Sequence, residues 1–342
     1  MAATETALAR TAERSLETTE SATCPEPRVI TEPTAVVFTF DRGFLPYAIV
    51  AMTSLLVHSK HHVRVYCVTD GLEADDVRLL ERAFLGYDAE LRLVEASRHI
   101  FAQWKVLFHY STANYFRLEA PSLIPDKRVI YLDCDLLVTC DLRELFTIDL
   151  QGAWLAACLD PDGKRVATVP IGADEPYINT GVLVLDLEAL RQADFGALAR
   201  QAYRANADTV QFADQCVINL VAEGRKLVLE PRWNVQQHNI PWPRQAEVMA
   251  SFDRRAILHA SGPVKPWMSW SDPWITNLWR SYARLTELDV ASLLKDATTY
   301  QQHVWKAAAL DAQGRWKEAS ELKGRLLAHL QSQPRASEPP RG

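Results

Sequence analysis

Residues Val129–Val138 read VIYLDCDLLV. The run Val129–Leu132 is apolar without interruption, the pattern of a strand buried on both faces in a sheet covered by helices. It ends in Asp133-Cys134-Asp135. In an extended chain, residues two apart point to the same side, so this spacing predicts that the two carboxylates project together and Cys134 turns away. Two like charges at the mouth of a buried strand repel each other. A divalent cation relieves that repulsion, and all-oxygen ligation suits Mg²⁺ or Mn²⁺. The crevice beyond the strand ends of an open α/β sheet is also where ligands bind. Alone, however, D-x-D is equally a common cap or turn sequence.

Outward from this stretch, short apolar runs alternate with segments of helical spacing. Ala35–Phe40 (AVVFTF), Arg64–Thr69 (RVYCVT) and Leu91–Val94 read as strands, with Leu45–Ser59, Glu73–Leu85 and Ala113–Ala120 as helices. Downstream, Trp154–Cys158, Gly181–Asp186 and Ala256–His259 read as further strands, and Leu187–Tyr203 and Ala213–Glu223 as helices. The alternation predicts an α/β fold with a mixed, mostly parallel central sheet. From Leu285 to Leu330 the chain turns helical. Tyr300–Leu330 reads as two amphipathic helices joined at Gln313-Gly314, a single hairpin of the tetratricopeptide kind. One such unit cannot bury its own face, so it is expected to pack on the preceding domain, on a partner or on a second copy of the chain. The expected organisation is a disordered tail over 1–33, a main domain over 34–284, a helical extension over 285–331 and a disordered tail over 332–342.

The chain has 342 residues, a net charge of −6 and 48% apolar residues, with 13 Gly and 18 Pro, which excludes collagen-like and wholly disordered readings. A pI of about 5.9 argues against a nucleic-acid partner held by general phosphate attraction. No apolar run approaches the ~18–20 residues that cross a bilayer, and the N-terminal stretch shows no basic-then-apolar leader pattern. The six cysteines (Cys24, Cys67, Cys134, Cys140, Cys158, Cys216) include no C-x-x-C. Reduced, buried thiols in a cytoplasmic protein are expected.

Three further stretches carry chemistry. In HASGPVKPW (His259–Trp267), His259 closes an apolar run and the Gly262-Pro263 turn would return Lys265 towards it. An imidazole ligand tilts the metal choice towards Mn²⁺, and an ammonium neutralises phosphate charge. In YINTGVLVLDLEAL (Tyr177–Leu190), Asn179 and Thr180 stand at the mouth of an apolar strand and Gly181 permits close backbone approach. In FADQCVINLV (Phe212–Val221), Asp214 and Gln215 open an amphipathic helix. Taken singly, His259 reads as a satisfied histidine, Lys265 as a surface lysine and Asp214 as a helix cap.

Taken together and in order, these pieces resemble the family 8 glycosyltransferases, the retaining enzymes that include glycogenin and bacterial lipooligosaccharide galactosyltransferases. The resemblance spans about residues 34–279. It rests on VVFTFDRGFLPYAIVAMTSLL, TANYFRLEAPSLIP, VIYLDCDLLV, YINTGVLVLDL with ADQ downstream, and HASGPVKPW. It implies a GT-A nucleotide-diphospho-sugar fold using Mn²⁺, with Mg²⁺ as the second choice. It also implies transfer of a hexose, glucose or galactose, from a UDP-sugar to a hydroxyl acceptor. Asp133, Asp135 and His259 match the metal ligands. Lys265, with backbone at Gly262 and Cys134, matches the diphosphate contacts, and Arg117 the basic residue beside the donor. Asn179, Asp160, Asp214 and Gln215 match positions that line the donor sugar. Gln215 lies nearest the anomeric face, with Asp214 the alternative nucleophile. Thr39, Asp41 and Phe44 fall at the nucleotide end.

There the chain departs from the family pattern, which usually ends its first strand in Asp-Asp-Asn-Tyr. Here Asp41-Arg42-Gly43-Phe44 retains an acceptor and an aromatic ring, loses the Asn side chain and gains a positive charge. UDP remains the expected carrier. A nucleotidyltransferase is disfavoured because no Gly-rich phosphate loop occurs. A sugar-nucleotide-binding scaffold acting through its C-terminal helices, and a self-glycosylating protein, are the alternatives. Six tryptophans between 206 and 279 read either as an acceptor platform or as a cover for the core, with Trp267 placed on the functional side by its motif. The extension mixes acidic and basic residues, so peripheral membrane docking is not favoured.

Overall fold

The structure, a computed structural model, describes residues 32–332 except 107–110, 161, 164–167, 240–243, 253–254 and 272. Among the described residues there are ten strands: β1 (Thr34–Asp41), β2 (Val63–Asp70), β3 (Ala89–Glu95), β4 (Arg128–Leu132), β5 (Leu136–Val138), β6 (Leu155–Leu159), β7 (Ile178–Asp186), β8 (Lys226–Val228), β9 (Val235–Gln236) and β10 (Ile257–His259). Seven form one sheet in the order β3-β2-β1-β4-β7-β6-β8. All pairings in it are parallel except those of β7 with β4 and β6. β1 is buried from Thr34 to Phe40 and β7 from Ile178 to Leu185, as strands covered on both faces must be. The fold is thus mixed α/β, with a central, mostly parallel sheet and C-terminal helices.

A second, three-stranded sheet, β5-β10-β9, is the feature that builds the site. The sequence reading carried Asp133 and Asp135 as a continuation of one extended strand. Instead the chain turns at these residues, leaving the main sheet after Leu132 and entering the small sheet at Leu136. Two helical expectations also change. Leu187–Tyr203 is broken into helices Leu187–Gln192 and Phe195–Asn206 by Asp194, which adopts φ +50° and caps the second. Asp tolerates this left-handed conformation better than most residues. Ala113–Ala120 is mainly the 3₁₀ helix Thr112–Glu119, opened by a Ser111–Asn114 capping box.

Of the tryptophan-rich segment, Trp233, Trp267, Trp270 and Trp279 are buried, whereas Trp242 lies outside the described residues. Trp267 stacks on Tyr47 at 3.9 Å and meets Phe44 edge-on at 6.1 Å. It therefore supports the wall behind Phe44 rather than presenting a face to a ligand. The five described cysteines are unpaired and buried; the expected tails, with Cys24, lie outside the described residues apart from positions 32, 33 and 332.

Candidate active site

Asp133, Asp135 and His259 are brought together by the hydrogen-bond ladders of the two sheets. The Asp133 amide donates to the Gly181 carbonyl of β7 (2.9 Å), and the Ala260 amide donates to the Asp135 carbonyl (3.0 Å). In the small sheet His259 is the register partner of Leu136, the residue after Asp135. As a result, His259 Nε2 stands 3.2 Å from Asp135 Oδ1 and 3.6 Å from Asp133 Oδ2. One ligand atom from each of the three side chains lies within 4.8 Å of the others.

The imidazole packs onto Gly181: a Cβ built there would stand 2.1 Å from His259 Cε1. Only glycine leaves room for the ring. The ring's tautomer follows from a chain of amides. The Gly181 N–H, which can only donate, binds Asn179 Oδ1 (3.0 Å), and Asn234 Nδ2 donates to that same oxygen (2.8 Å). Asn234 Oδ1 is therefore an acceptor, and it lies 2.8 Å from His259 Nδ1. The proton belongs on Nδ1, leaving the Nε2 lone pair aimed at the two carboxylates. Orientation of a metal-binding imidazole through its other nitrogen is the usual arrangement at metal centres.

The donor set fits a divalent cation. Asp135 Oδ1 is buried without a hydrogen-bond partner among the described residues and faces the Nε2 lone pair. Two acceptors pointed at each other repel, and a cation between them removes the conflict. Burial alone would push the Asp135 carboxyl up, but the Lys265 ammonium holds it well below the usual carboxylate range. Lys265 Nζ donates to Asp135 Oδ2 and to the Ala260 carbonyl (2.8 Å), placing its charge on the rim of the cluster.

On the opposite side lies the buried guanidinium of Arg117. It donates to Asp133 Oδ1 (2.7 Å) and to the carbonyls of Thr180 (2.9 Å) and Asn114 (3.0 Å), and it pairs with Asp214 Oδ2 at 3.2 Å. It also stacks over the Tyr131 ring at 4.1 Å, and the Tyr131 hydroxyl donates to Asp133 Oδ1 (2.7 Å). Burial opposes the Arg117 charge, but Asp133 and Asp214 hold the group protonated. Burial raises the Asp214 carboxyl to about 6, with Arg117 pulling in the other direction. Asp214 follows Ala213, whose φ of +44° is unusual for a residue with a Cβ; such strain at a site is held by its surroundings.

Asp160, Asn179 and Gln215 form one network. Asp160 Oδ2 accepts from Gln215 Nε2 (3.0 Å) and Asn179 Nδ2 (3.4 Å), and Asp160 Oδ1 from the Gly163 amide (2.7 Å). The Thr180 amide donates to Gln215 Oε1 (3.3 Å), and the Thr180 hydroxyl to Asp214 Oδ2 (3.1 Å). Thr39, Phe44, Cys134 and Gly262 line the same cavity as these groups, which has a volume of about 370 Å³. That is the scale of a small-molecule site. Cys134 turns away from the carboxylates towards the Thr39 carbonyl (Sγ to O 3.6 Å).

Asp41 stands apart. Its carboxylate caps the turn by accepting from the Phe44 amide (3.1 Å), and it borders a neighbouring hollow shared with Asp70 and Arg98. Arg42 is turned outward onto Glu73 and Asp76, so its extra charge is answered there. Sequence reasoning missed Asn234, Tyr131, His238 and Trp305 as parts of this site. Tyr131 was hidden in an apolar run and Trp305 in a helix far along the chain; neither carried a spacing that marks it.

The mixed α/β sheet, with strand-end carboxylates meeting an imidazole beside a cavity, is a fold of the GT-A kind. More specifically, the profile of glycosyl transferase family 8 matches residues 35–271, and the chain belongs to that family. It is 26% identical over 223 residues to General stress protein A of Bacillus subtilis, covering 61% of this chain and 78% of that protein. It is also 26% identical over 274 residues to the glycosyltransferase GlyF of Streptococcus pneumoniae, covering 78% of this chain and 66% of that one. Its fold is shared with the galactosyltransferase LgtC, solved in complex with donor and acceptor sugar analogues. The TM-score is 0.67 at 24% identity, covering 75% of this chain and 97% of the other. The protein is therefore a glycosyltransferase. No helix among the described residues is long and apolar enough to cross a membrane.

Proposed function

We propose that the protein transfers a hexose, glucose or galactose, from a UDP-sugar to an acceptor hydroxyl with retention of configuration, using Mn²⁺. The observation that supports this most is the convergence of Asp133, the unpartnered Asp135 Oδ1 and the free Nε2 lone pair of His259 in one cavity with Lys265, Asp160 and Gln215. Asp133, Asp135 and His259 would hold the cation. When bound, it would supply positive charge that stabilises a departing nucleotide diphosphate.

The chain's own residues supply the rest. Lys265 brings an ammonium to the diphosphate side of the cluster. Arg117 is fixed by four acceptors and orients Asp133. Asp160, Asn179 and Gln215 present a linked polar surface for the hydroxyls of the donor sugar. An oxocarbenium-like sugar could be attacked by a carboxylate or directly by the acceptor on the leaving-group face. Gln215 is an amide, and Asp214 Oδ2 is occupied by Arg117 and Thr180. This favours same-face attack by the acceptor, with the leaving phosphate taking its proton.

The test is a donor screen on purified protein with Mn²⁺ and a panel of UDP- and GDP-hexoses, read by melting temperature and by release of nucleotide diphosphate. A ligand selective for the folded state raises stability by mass action. UDP-glucose or UDP-galactose should give a metal-dependent shift and slow release of UDP. A shift with GDP-sugars only, or none with any donor, would refute the assignment. A glycosyl adduct on Asp214, seen by mass spectrometry, would refute same-face attack.

A further inference from the structure

The C-terminal hairpin forms part of the active-site wall. Its first helix, Tyr300–Ala312, packs on the second, Trp316–Ser332, through Ala307 and Leu310 against Ala319 and Leu322. Trp305, Ala309 and Gln313 follow at intervals of four and so form a different stripe, one that faces the main domain. Ala309 is buried, and Gln313 Nε2 donates to the Trp270 carbonyl (2.9 Å). Trp305 lines the cavity that also holds Asp133, Gln215 and His259.

Two more ties fix the helix there. Lys306 Nζ pairs with Asp296 (2.6 Å), and Met268 bridges Lys295 so that the segment before the helix runs beside the Lys265 loop. The indole is half-buried and takes no part in the hairpin's own apolar cluster. A large, partly exposed aromatic side chain is thus held in the wall of the cavity that contains Asp133, Gln215 and His259. The groups assigned to the donor all come from the main domain, which leaves the wall added by the extension for the second substrate.

We propose that Trp305 is a stacking platform for the acceptor, and that the acceptor presents a pyranose ring; this rests on the glycosyl transfer proposed above. The C–H face of a pyranose is apolar and the indole face is electron-rich, so the two stack while the ring hydroxyls stay wet. The extension then has a role in the reaction: it completes the acceptor site, and an acceptor can bind only with the hairpin docked.

The test uses the full chain with Mn²⁺ and UDP, and saturation-transfer NMR on methyl glucopyranosides and methyl galactopyranosides as probes. Wild type should transfer saturation to one face of at least one probe. Trp305→Ala should weaken that probe about tenfold, and Trp305→Phe less than about threefold, the scale of an aromatic stacking contact. Both variants should keep the wild-type UDP affinity and Mn²⁺-dependent melting shift. Unchanged probe affinity in Trp305→Ala would overturn the proposal. So would a tenfold loss of UDP affinity, which would make Trp305 a donor residue, or a wild-type chain that binds UDP but no pyranoside. A wild-type chain that binds no UDP would instead count against the donor assignment.

Discussion

Replacing Gly181 by alanine adds one methyl group at the point where the main sheet touches the candidate metal centre. Gly181 does not adopt a left-handed conformation, so the backbone accepts alanine and the whole effect is steric. The new Cβ would stand 2.1 Å from His259 Cε1, whereas ordinary contact begins at 3.4 Å, so the ring must withdraw by about 1.3 Å. It cannot simply pivot, because Nδ1 is tied to Asn234. Overpacking of this kind costs about 1–3 kcal/mol, which a chain of this size survives. Metal coordination is less forgiving, since ligand distances are held to about 0.2 Å. Mn²⁺ affinity is therefore expected to fall ten- to hundredfold. The assay is thermal or chemical denaturation with and without Mn²⁺. At a concentration of about 100 times Kd, the wild type gains about 2.7 kcal/mol, and a variant weakened hundredfold gains only about 0.4 kcal/mol. A Gly181→Ala protein that folds and keeps the full Mn²⁺ stabilisation would refute the assignment of His259 as a ligand.

Three more outcomes follow from the same geometry. The Asp214 carboxyl is raised to about 6 by burial, so its contribution to stability is present at low pH and is lost as pH rises from about 4 to 6. Asp214→Asn should flatten that part of the stability–pH curve by about 3 kcal/mol, read by urea denaturation at a series of pH values; an unchanged curve would contradict the burial argument. Asn234→Leu removes the acceptor for His259 Nδ1–H, so ¹⁵N NMR of the imidazole should show a mixture of tautomers and Mn²⁺ affinity should drop ten- to hundredfold. A single Nδ1–H tautomer in that variant would break the amide-chain argument. Arg42→Ala should leave UDP affinity within twofold by calorimetry, because the guanidinium pairs outward with Glu73 and Asp76. A large change would return Arg42 to the nucleotide site.

Most strands of the main sheet were legible from short apolar runs, though the edge strand β8, Lys226–Val228, was not read; the stretches bearing Asp133, Asp135 and His259 were legible because acidic and imidazole groups directly abut such runs. What was not legible is geometry made by pairing. That Asp133–Asp135 is a turn between two sheets depends on β5 pairing with β10, residues more than a hundred positions apart. Asn234 carries no motif, and its importance lies wholly in reaching His259 and Asn179. Trp267 misled because its motif placed it beside Lys265, while packing against Tyr47 turned its face inward. Trp305 was invisible for the opposite reason: its helix read as an appendage, and only docking puts the indole in the cavity. The break at Asp194 had a local cause, yet helical spacing runs through it undisturbed.

The antiparallel strand explains why these groups meet. The strands β1, β2 and β4 run parallel and deliver their carboxyl ends to one edge of the sheet. β7 runs against β4, with Leu132, the last residue of β4, paired to Val182. Residues 178–181 therefore overrun the end of β4 and hang over the crevice where Asp133 and Asp135 turn. Each of the last three has a separate task. Asn179 orients Asn234 and contacts Asp160. Thr180 offers its carbonyl to Arg117 and its hydroxyl to Asp214. Gly181 accepts from the Asp133 amide and leaves room for His259. A slip of one residue would send the side chains of Asn179 and Thr180 to the wrong faces and put a residue with a side chain where Gly181 makes room for the ring. The antiparallel register of β7 is thus what couples the Asp133–Asp135–His259 cluster, the buried arginine and the Asp160 network into one site.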